Sequence, residues 1–310
     1  MANARTLEQK ISDSGPNNQR IDPHVLTPVR QALEKEGLVE RTAKGGNTWY
    51  FLGNTPQDLI QPRLDEQFAI FSEYSKNRLR ERLGQTLEIA TYRALMQLDG
   101  LEFYGRFRDL DEHDDSTLYA KEEPPQHVGN RALPGQLRLD FMARHPDAGI
   151  LGIECKNVRE WMYPDREEII ELAFKATTLN VVPVLIARRI PFVTFKVLSA
   201  CGVIIHQTYN QLLPVADEAI AAQMRDKNLL GYHDIRTGNV PDKRMVKFIT
   251  ADLMKVAPAS REKFEAFSDL LGAFGRQEMK YHEFAARVRR RLKGTKEDND
   301  WPEEHPSEEG

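Results

Sequence analysis

Residues 137–157 read LRLDFMARHPDAGILGIECKN and contain two stretches in which apolar and polar side chains alternate. The first stretch covers residues 136–144, and the second covers residues 150–156. Successive side chains of a strand point to opposite faces of a sheet, so this period of two predicts two strands. Their short separation along the chain makes them candidates for a hairpin, which is the centre of the predicted fold.

The predicted hairpin carries a spacing of charged residues, Asp140, Glu154 and Lys156, that reads D-x13-E-x-K. Residues two apart on a strand share a face, so Glu154 and Lys156 lie together, and a hairpin brings Asp140 alongside them. Two carboxylates and an ammonium group on one sheet face are costly to bury unless they bind a cation or each other. Mg²⁺ held by oxygen ligands from both carboxylates explains the grouping. A solvated strand face is the structural alternative.

The sequence around the hairpin alternates between helical and strand patterns. Helices are predicted at residues 165–179 and 194–200, with buried strands at residues 181–187 and 203–206. This alternation implies a mixed sheet that helices cover on both faces. Upstream, the pattern predicts three further segments, which are a long helix broken near Gly84 (residues 64–97), a strand (residues 102–107) and an irregular surface insertion (residues 109–135).

The first fifty residues resemble a small winged helix. Two helical patterns, at residues 4–12 and at about residues 25–36, precede two short strands that are joined by the tip AKGGN. The resemblance implies that the second helix enters a DNA groove and that Lys44 at the tip meets a phosphate. Winged helices also dock proteins, so both kinds of partner remain open.

The quoted stretch, together with the helix and the strand VVPVLIA that follow it, resembles the PD-(D/E)XK nuclease superfamily. Within it, the arrangement is most similar to restriction-endonuclease-like enzymes of the Holliday-junction-resolvase type, over about residues 80–210. The resemblance implies a Mg²⁺ cofactor, with Mn²⁺ as a substitute. It implies catalytic roles for Asp140, Glu154, Lys156 and Glu88, and metal binding by Asp140, Glu154, the main-chain carbonyl of Cys155 and Glu88. Either Arg166 or Glu167, early in the next helix, is also expected near the site.

These readings predict an α/β chain whose core is a restriction-endonuclease-like mixed sheet flanked by helices. The predicted parts are a winged-helix-like domain (residues 1–56), the nuclease-like core (57–213), a helical C-terminal region (214–294) and an acidic disordered tail (295–310). The helical C-terminal region is expected to break near residues 231–241 and 257–260.

The charge distribution favours a nucleic-acid partner despite a net charge of −4. The last sixteen residues carry seven acids and one lysine, so residues 1–294 carry +2. A basic segment precedes the tail, which indicates an anion-binding face that the tail can compete for. A solvated helix end followed by a solubilising tail is the alternative interpretation. The expected DNA contacts are Lys44, Arg138, Arg159, Arg289, Arg290 and Arg291.

Composition excludes several other classes of protein. The longest apolar run has seven residues, too few for a membrane-spanning helix. Two cysteines, Cys155 and Cys201, cannot build a disulfide framework, so a reduced, cytoplasmic protein is expected. His113, His127 and His145 lack metal-ligand spacing and are predicted to be exposed.

Two other functions remain open at this point. The same fold serves as a catalytically inactive DNA-binding protein or scaffold, and the N-terminal unit alone can serve as a protein-docking module. Many nucleases of this class pair two active sites, so a homodimer is an expected assembly that the sequence does not decide.

Overall fold

The N-terminal residues form a small sheet flanked by two helices. The computed structural model describes residues 1–12, 25–111 and 115–295. Its first elements are β1 (Ala2–Asn3), α1 (Ala4–Ser12), α2 (Leu26–Lys35), β2 (Val39–Lys44) and β3 (Asn47–Leu52). The strands are ordered β1-β3-β2 and are antiparallel. Gly45 and Gly46 both have positive φ, as a two-residue hairpin turn requires, so the predicted hairpin tip is confirmed.

This N-terminal sheet shares a hydrophobic core with the rest of the chain. Trp49 is fully buried in a cluster that also contains Leu64 and Ile235. The Thr6 hydroxyl donates a hydrogen bond to the carbonyl of Leu230 over 2.6 Å. One cluster therefore spans the boundary predicted at residue 56.

Two helices follow, α3 (Gln57–Tyr74) and α4 (Asn77–Leu95). The predicted break near Gly84 is wrong, since Gly84 lies inside α4 and the chain breaks at Ser75 and Lys76 instead. The Ser75 hydroxyl donates to the carbonyl of Phe71 over 2.8 Å and so competes with the helical pattern at that point. A glycine inside a helix costs only about 1 kcal/mol, which the buried face of α4 offsets.

The segment after α4 forms five two-residue strands, β4 (Phe103–Tyr104), β5 (Arg106–Phe107), β6 (Lys121–Glu122), β7 (His127–Val128) and β8 (Arg131–Ala132). The first two replace the single strand predicted at residues 102–107, and the other three make residues 109–135 more ordered than predicted. Strand β5 pairs with β6, and β7 pairs with β8, both antiparallel. The pairing of β6 anchors a part of the chain that the sequence assigned to an irregular insertion. His113 lies outside the described residues.

The central sheet agrees closely with the alternation of the sequence. Its elements are β9 (Phe141–His145), β10 (Gly149–Lys156), α5 (Glu167–Leu179), β11 (Val182–Ala187), α6 (Phe192–Ala200) and β12 (Ile204–Gln207). The order is β12-β11-β10-β9-β4, with β9 antiparallel to β10, and β10, β11 and β12 parallel. The chain is therefore a mixed α/β protein, as predicted. The first strand begins at Phe141 rather than at residue 136.

Helices cover both faces of this sheet. Leu151, Ile153 and Cys155 pack in a cluster with residues of α4, whereas the opposite face packs on α5. Gly152 lies on that opposite face, where a β-carbon would come within 2.7 Å of the side chains of Leu139 and Val181. Close approach of neighbouring side chains explains the glycine.

The C-terminal part is mostly helical but contains a sheet that the sequence did not reveal. Its elements are β13 (Gln211–Leu213), α7 (Glu218–Arg225), β14 (Ile235–Thr237), α8 (Lys243–Lys247), α9 (Leu253–Gly275) and α10 (Tyr281–Leu292), with a π-turn at Phe248–Asp252. Strands β13 and β14 pair in parallel. The predicted break at residues 231–241 is therefore confirmed. Residues 296–310 of the predicted tail lie outside the described residues.

The second predicted break, at residues 257–260, is wrong because α9 continues through Pro258. Proline has no N–H, so the carbonyl of Met254, four residues earlier, lacks its helical donor. The imidazole Nε2 of His145 donates to that carbonyl over 2.9 Å, while its Nδ1 accepts from the amide of Ala148 over 3.1 Å. His145 is therefore buried and structural, against the prediction that it is exposed.

No helix within residues 1–12, 25–111 and 115–295 is both long and apolar enough to cross a membrane.

Candidate active site

The predicted residues Asp140 and Glu154 face each other across the hairpin. The amide of Asp140 donates to the carbonyl of Ile153 over 3.0 Å, and the amide of Cys155 donates to Asp140 Oδ2 over 2.7 Å. The side chain of Asp140 thus extends the ladder beyond the start of β9. This hydrogen bond holds the carboxylate against the end of β10, one residue from Glu154.

Glu154 is 1% exposed and lies between two lysines. Its Oε2 is 2.8 Å from Lys156 Nζ, and its Oε1 accepts a hydrogen bond of 2.6 Å from Lys175 Nζ. Burial alone would raise the pKa of Glu154, but the two ammonium groups outweigh burial and hold this pKa below its usual value. The carboxylate is therefore ionised and oriented by the lysines.

Lys175, on α5, was not predicted from the sequence. The sequence instead pointed to Arg166 or Glu167 early in the same helix, but Arg166 pairs with its neighbour Glu168 over 2.6 Å. Lys175 lies two turns further along, where helical periodicity marks a buried position of α5. The sequence did contain one signal for Lys175, which is a lysine at a position that helical periodicity predicts to be buried. A buried lysine requires an acidic partner.

Glu88 approaches the site from α4, as predicted, and brings a second unpredicted lysine. Its Oε2 accepts a hydrogen bond of 2.6 Å from Lys121 Nζ. The ammonium group of Lys121 also lies 5.0 Å from the ring centre of Phe141, at the start of β9. Lys121 comes from β6, in the segment predicted to be an irregular insertion, so the sequence offered no reason to place it here.

The carboxylates of this cluster perturb one another. Burial, followed by the charges of Glu154 and Glu88, raises the pKa of Asp140 well above its usual value. Burial would lower the pKa of Lys156, but Glu154 and Asp140 outweigh it and raise this pKa. The neighbouring carboxyl groups of Asp140 and Glu154 therefore have pKa values shifted in opposite directions, a pattern found at functional sites as well as in structural ion-pair networks.

The donor chemistry of the cluster fits a hard divalent cation held by two carboxylates. The buried Oε2 of Glu154 is contacted by the partly exposed Lys156 Nζ at 2.8 Å. Burial together with the charges of Glu154 and Glu88 raises the pKa of Asp140, and a cation would offset that negative charge. Among the described residues, no three His, Cys, Asp or Glu side chains are grouped to hold a metal ion. Mg²⁺ requires no such cage, since it commonly binds one or two carboxylates together with water and substrate phosphates.

Cys155 contributes its main chain rather than its thiol. Its sulfur lies 3.3 Å from Thr91 Oγ1, on the α4 face of the sheet. Burial, with the charge of Asp140 second, raises the pKa of this thiol well above its usual value. The thiol is therefore protonated and packs as a small apolar group, as Cys201 also does.

Three of the predicted DNA contacts lie in the first two thirds of the chain, and each has partners within the protein. Lys44 forms an ion pair with Asp65 and lies over the ring of Phe68. Arg138 donates to the carbonyl of Pro124 over 2.9 Å. Arg159 is 2% exposed and pairs with Asp234 over 2.5 Å, so it does not present its charge on the outer surface as the other expected contacts would.

The three predicted contacts near the C-terminus lie on the last turn of α10. Arg289 is exposed and Arg290 is half-buried. Arg291 binds Asp269 through both guanidinium nitrogens, over 2.6 and 2.8 Å. Only part of the predicted basic run therefore presents its charge outward.

No family model, curated protein or solved structure matches this chain.

Replacing Asp140 by asparagine is expected to stabilise the metal-free protein at pH 7–8. Because the pKa of Asp140 is raised in the folded protein, this carboxyl group loses its proton at a lower pH in the unfolded chain than in the folded chain. The contribution of Asp140 to the free energy of unfolding therefore falls as the pH rises above about 4. Asparagine does not titrate and still accepts from the Cys155 amide. Urea unfolding in EDTA at pH 4 and pH 8 measures the free energy of unfolding of Asp140→Asn relative to wild type. This difference should increase as the pH rises.

The matched control is Asp147→Asn, in the exposed turn of the same hairpin. If Asp147→Asn raised the free energy of unfolding as much as Asp140→Asn, the carboxylate cluster would not be the cause of the stabilisation.

Proposed function

We propose that this chain is a Mg²⁺-dependent DNA endonuclease of the PD-(D/E)XK, restriction-endonuclease-like class. The observation that carries the proposal is the cluster of Asp140, Glu154 and Lys156 at the end of the β9–β10 hairpin. Its surroundings support it further, since α5 and the parallel strand β11 follow the hairpin. Glu88 lies near the same cluster on the preceding helix α4, the position expected for a third acidic residue.

Each residue of the cluster has a role that follows from its contacts. Asp140 and Glu154, with the main-chain carbonyl of Cys155 and with Glu88, would hold the cation. The chemistry that Mg²⁺ would supply there is charge neutralisation at the scissile phosphate and a lower pKa of a bound water. Lys156 is the only lysine of the cluster that is appreciably exposed, at 23% of its side chain, and so can reach a phosphate oxygen.

Two further lysines act as positioning residues. Lys175 holds Oε1 of Glu154 and leaves Oε2 toward Lys156. Lys121 holds Glu88 in the same way. Both are nearly buried, at 5% and 6% of the side chain, so they orient carboxylates rather than contact a substrate.

The N-terminal unit supports DNA as the partner, since α1, α2 and the β2–β3 hairpin follow the order of a winged helix. Helix α2 has no buried residue and is available to a groove. A phosphate contact by Lys44 requires its ion pair with Asp65 to open. A homodimer that pairs two such sites belongs to the same proposal.

Cleavage of supercoiled plasmid with Mg²⁺, Mn²⁺, Ca²⁺ or EDTA tests the proposal. We expect nicked and linear products with Mg²⁺ and Mn²⁺ and none with EDTA. Glu154→Gln should abolish cleavage, whereas Glu262→Gln, an exposed change on α9, should not.

The alternative is an inactive DNA-binding protein on the same fold. It predicts salt-sensitive DNA retention without cleavage in any metal. Cleavage that persists undiminished in Glu154→Gln would place the chemistry in a different part of the chain.

A further inference from the structure

A cleft of about 570 Å³ lies beside the end of β10, next to the carboxylate cluster but separate from it. We call it the Arg159 cleft. It lies between α1, the β2–β3 tip, the start of α4 and the loop after β10, with lining residues that include Arg5, Asn47, Asn77, Arg80, Asn157 and Arg159. Its volume is in the range of small-molecule sites.

Two buried arginines lie at and behind the wall of the Arg159 cleft, whose lining also includes Glu81 and Glu160. Arg159 and Arg188 are both buried, and both pair with the single carboxylate of Asp234, over 2.5 and 2.6 Å. Burial, followed by the charge of Arg159, lowers the pKa of Arg188 to about 10. Two guanidinium groups thus share one counterion in a place where water cannot screen them.

Arg159 also has donors that the protein does not use. Its Nη1 binds Asp234, but its Nε and Nη2 are buried and have no hydrogen-bond partner among the described residues. Leaving a buried charged donor unsatisfied is costly, so such a group calls for an acceptor from outside. An anion in the cleft would supply that acceptor.

The opposite wall is formed by the first turn of α4, a helix of 19 residues. Asn77 is its first residue and lines the cleft, so the positive end of the helix dipole lies at the cleft wall. Arg80, one turn further along, adds an exposed guanidinium group.

An ion pair lies across the Arg159 cleft, and it can open to admit an anion. Arg5 pairs with Glu160 over 2.7 Å, and both side chains are about one third exposed. An exposed pair of this kind contributes little to stability, so an anion can displace Glu160 from Arg5.

We infer that the Arg159 cleft binds a phosphate monoester, either a free mononucleotide or the terminal phosphate of a nucleic-acid strand. Planar guanidinium groups and a helix N-terminus recognise phosphate through several directed donors. The volume exceeds that of inorganic phosphate and leaves space for an attached nucleoside. The inference uses neither the carboxylate cluster nor a metal, so it stands or falls independently of DNA cleavage.

Calorimetric titration in EDTA tests the inference with inorganic phosphate, adenosine 5′-monophosphate and adenosine as probes. We expect the monophosphate to bind wild type saturably, and adenosine to bind at least tenfold more weakly. Arg80→Gln should weaken monophosphate binding at least tenfold. Arg78→Gln, two residues away on α4 and outside the cleft, should leave it unchanged.

Arg159→Lys keeps the buried charge but removes the guanidinium fork, so it should weaken the monophosphate without unfolding the chain. An oligonucleotide with a 5′-phosphate, compared with its 5′-hydroxyl form, separates the two sources. A preference for the phosphorylated strand indicates a strand end, and binding of the mononucleotide alone indicates a free nucleotide. Equal binding by Arg80→Gln and Arg78→Gln, or no saturable binding of any phosphate probe, would overturn the inference.

Discussion

Lys156→Ala is expected to slow DNA cleavage by about 10²–10³-fold while Mg²⁺ binding is retained. Lys156 Nζ lies 2.8 Å from Glu154 Oε2, and its side chain is partly exposed, so it can face both the cluster and a substrate. Its loss leaves Asp140 and Glu154 in place as ligands. The defect therefore belongs to the chemical step, where negative charge grows on the phosphate oxygens.

Single-turnover cleavage, paired with calorimetric Mg²⁺ titration, separates this effect from loss of the metal. Lys263→Ala, an exposed lysine on α9, provides the matched control. Glu154→Gln should behave differently, because it removes a charged ligand and lowers Mg²⁺ affinity and cleavage together. Unchanged single-turnover rates in Lys156→Ala would exclude Lys156 from the reaction.

Asp234→Asn is expected to lower the free energy of unfolding by about 3–5 kcal/mol. Asp234 is the shared counterion of Arg159 and Arg188, and all three side chains are buried. Asparagine is nearly isosteric, so the cost reflects two buried guanidinium groups without a carboxylate. In the wild type, Arg159 donates to Oδ1 of Asp234 and Arg188 donates to Oδ2. In asparagine one of these oxygens is replaced by an amide nitrogen, which is a donor and cannot accept from the guanidinium group that faces it.

The pH dependence of this effect follows from the pKa of Asp234. Burial would raise this pKa, but Arg159 and Arg188 outweigh burial and hold it well below its usual value. A depressed pKa stabilises the fold above the unfolded pKa of about 3.9, and this stabilisation is lost as the pH falls through the folded pKa. The difference between Asp234→Asn and wild type should therefore be constant from pH 5 to 8 and shrink below about pH 4.

Urea unfolding at several pH values measures this difference, with Asp99→Asn as an exposed control. A loss below about 1 kcal/mol at pH 7 would show that the two arginines do not depend on Asp234.

The central hairpin could be predicted because its signals are local. Alternation along residues 150–156 predicts which side chains share a face, and Leu151, Ile153 and Cys155 indeed pack together in one cluster. The spacing of Glu154 and Lys156 places both groups on the same side of β10 for the same reason. The strand VVPVLIA was predictable from its apolar run, since it is buried throughout, between β12 and β10.

Two predicted helix breaks are absent from the structure because packing overrides a local signal in the sequence. Proline ordinarily ends or kinks a helix, but at Pro258 the imidazole of His145 supplies the missing donor to the carbonyl of Met254, 109 residues from His145 in sequence. Gly84 marks a weak point of a helix, yet the buried face of α4 continues through it. In both places a contact from a distant element outweighs a local preference.

The sequence by itself determined the hairpin, its Asp140, Glu154 and Lys156, and the alternating strands and helices around them, because each depends on the period of a single segment. Only the tertiary structure decided that Lys121 and Lys175 meet the carboxylates, and that Arg159 is buried against Asp234 rather than exposed to DNA. These partners lie 21 to 75 residues apart along the chain. No periodicity relates side chains at such separations, so their pairing follows from how the sheet and helices pack.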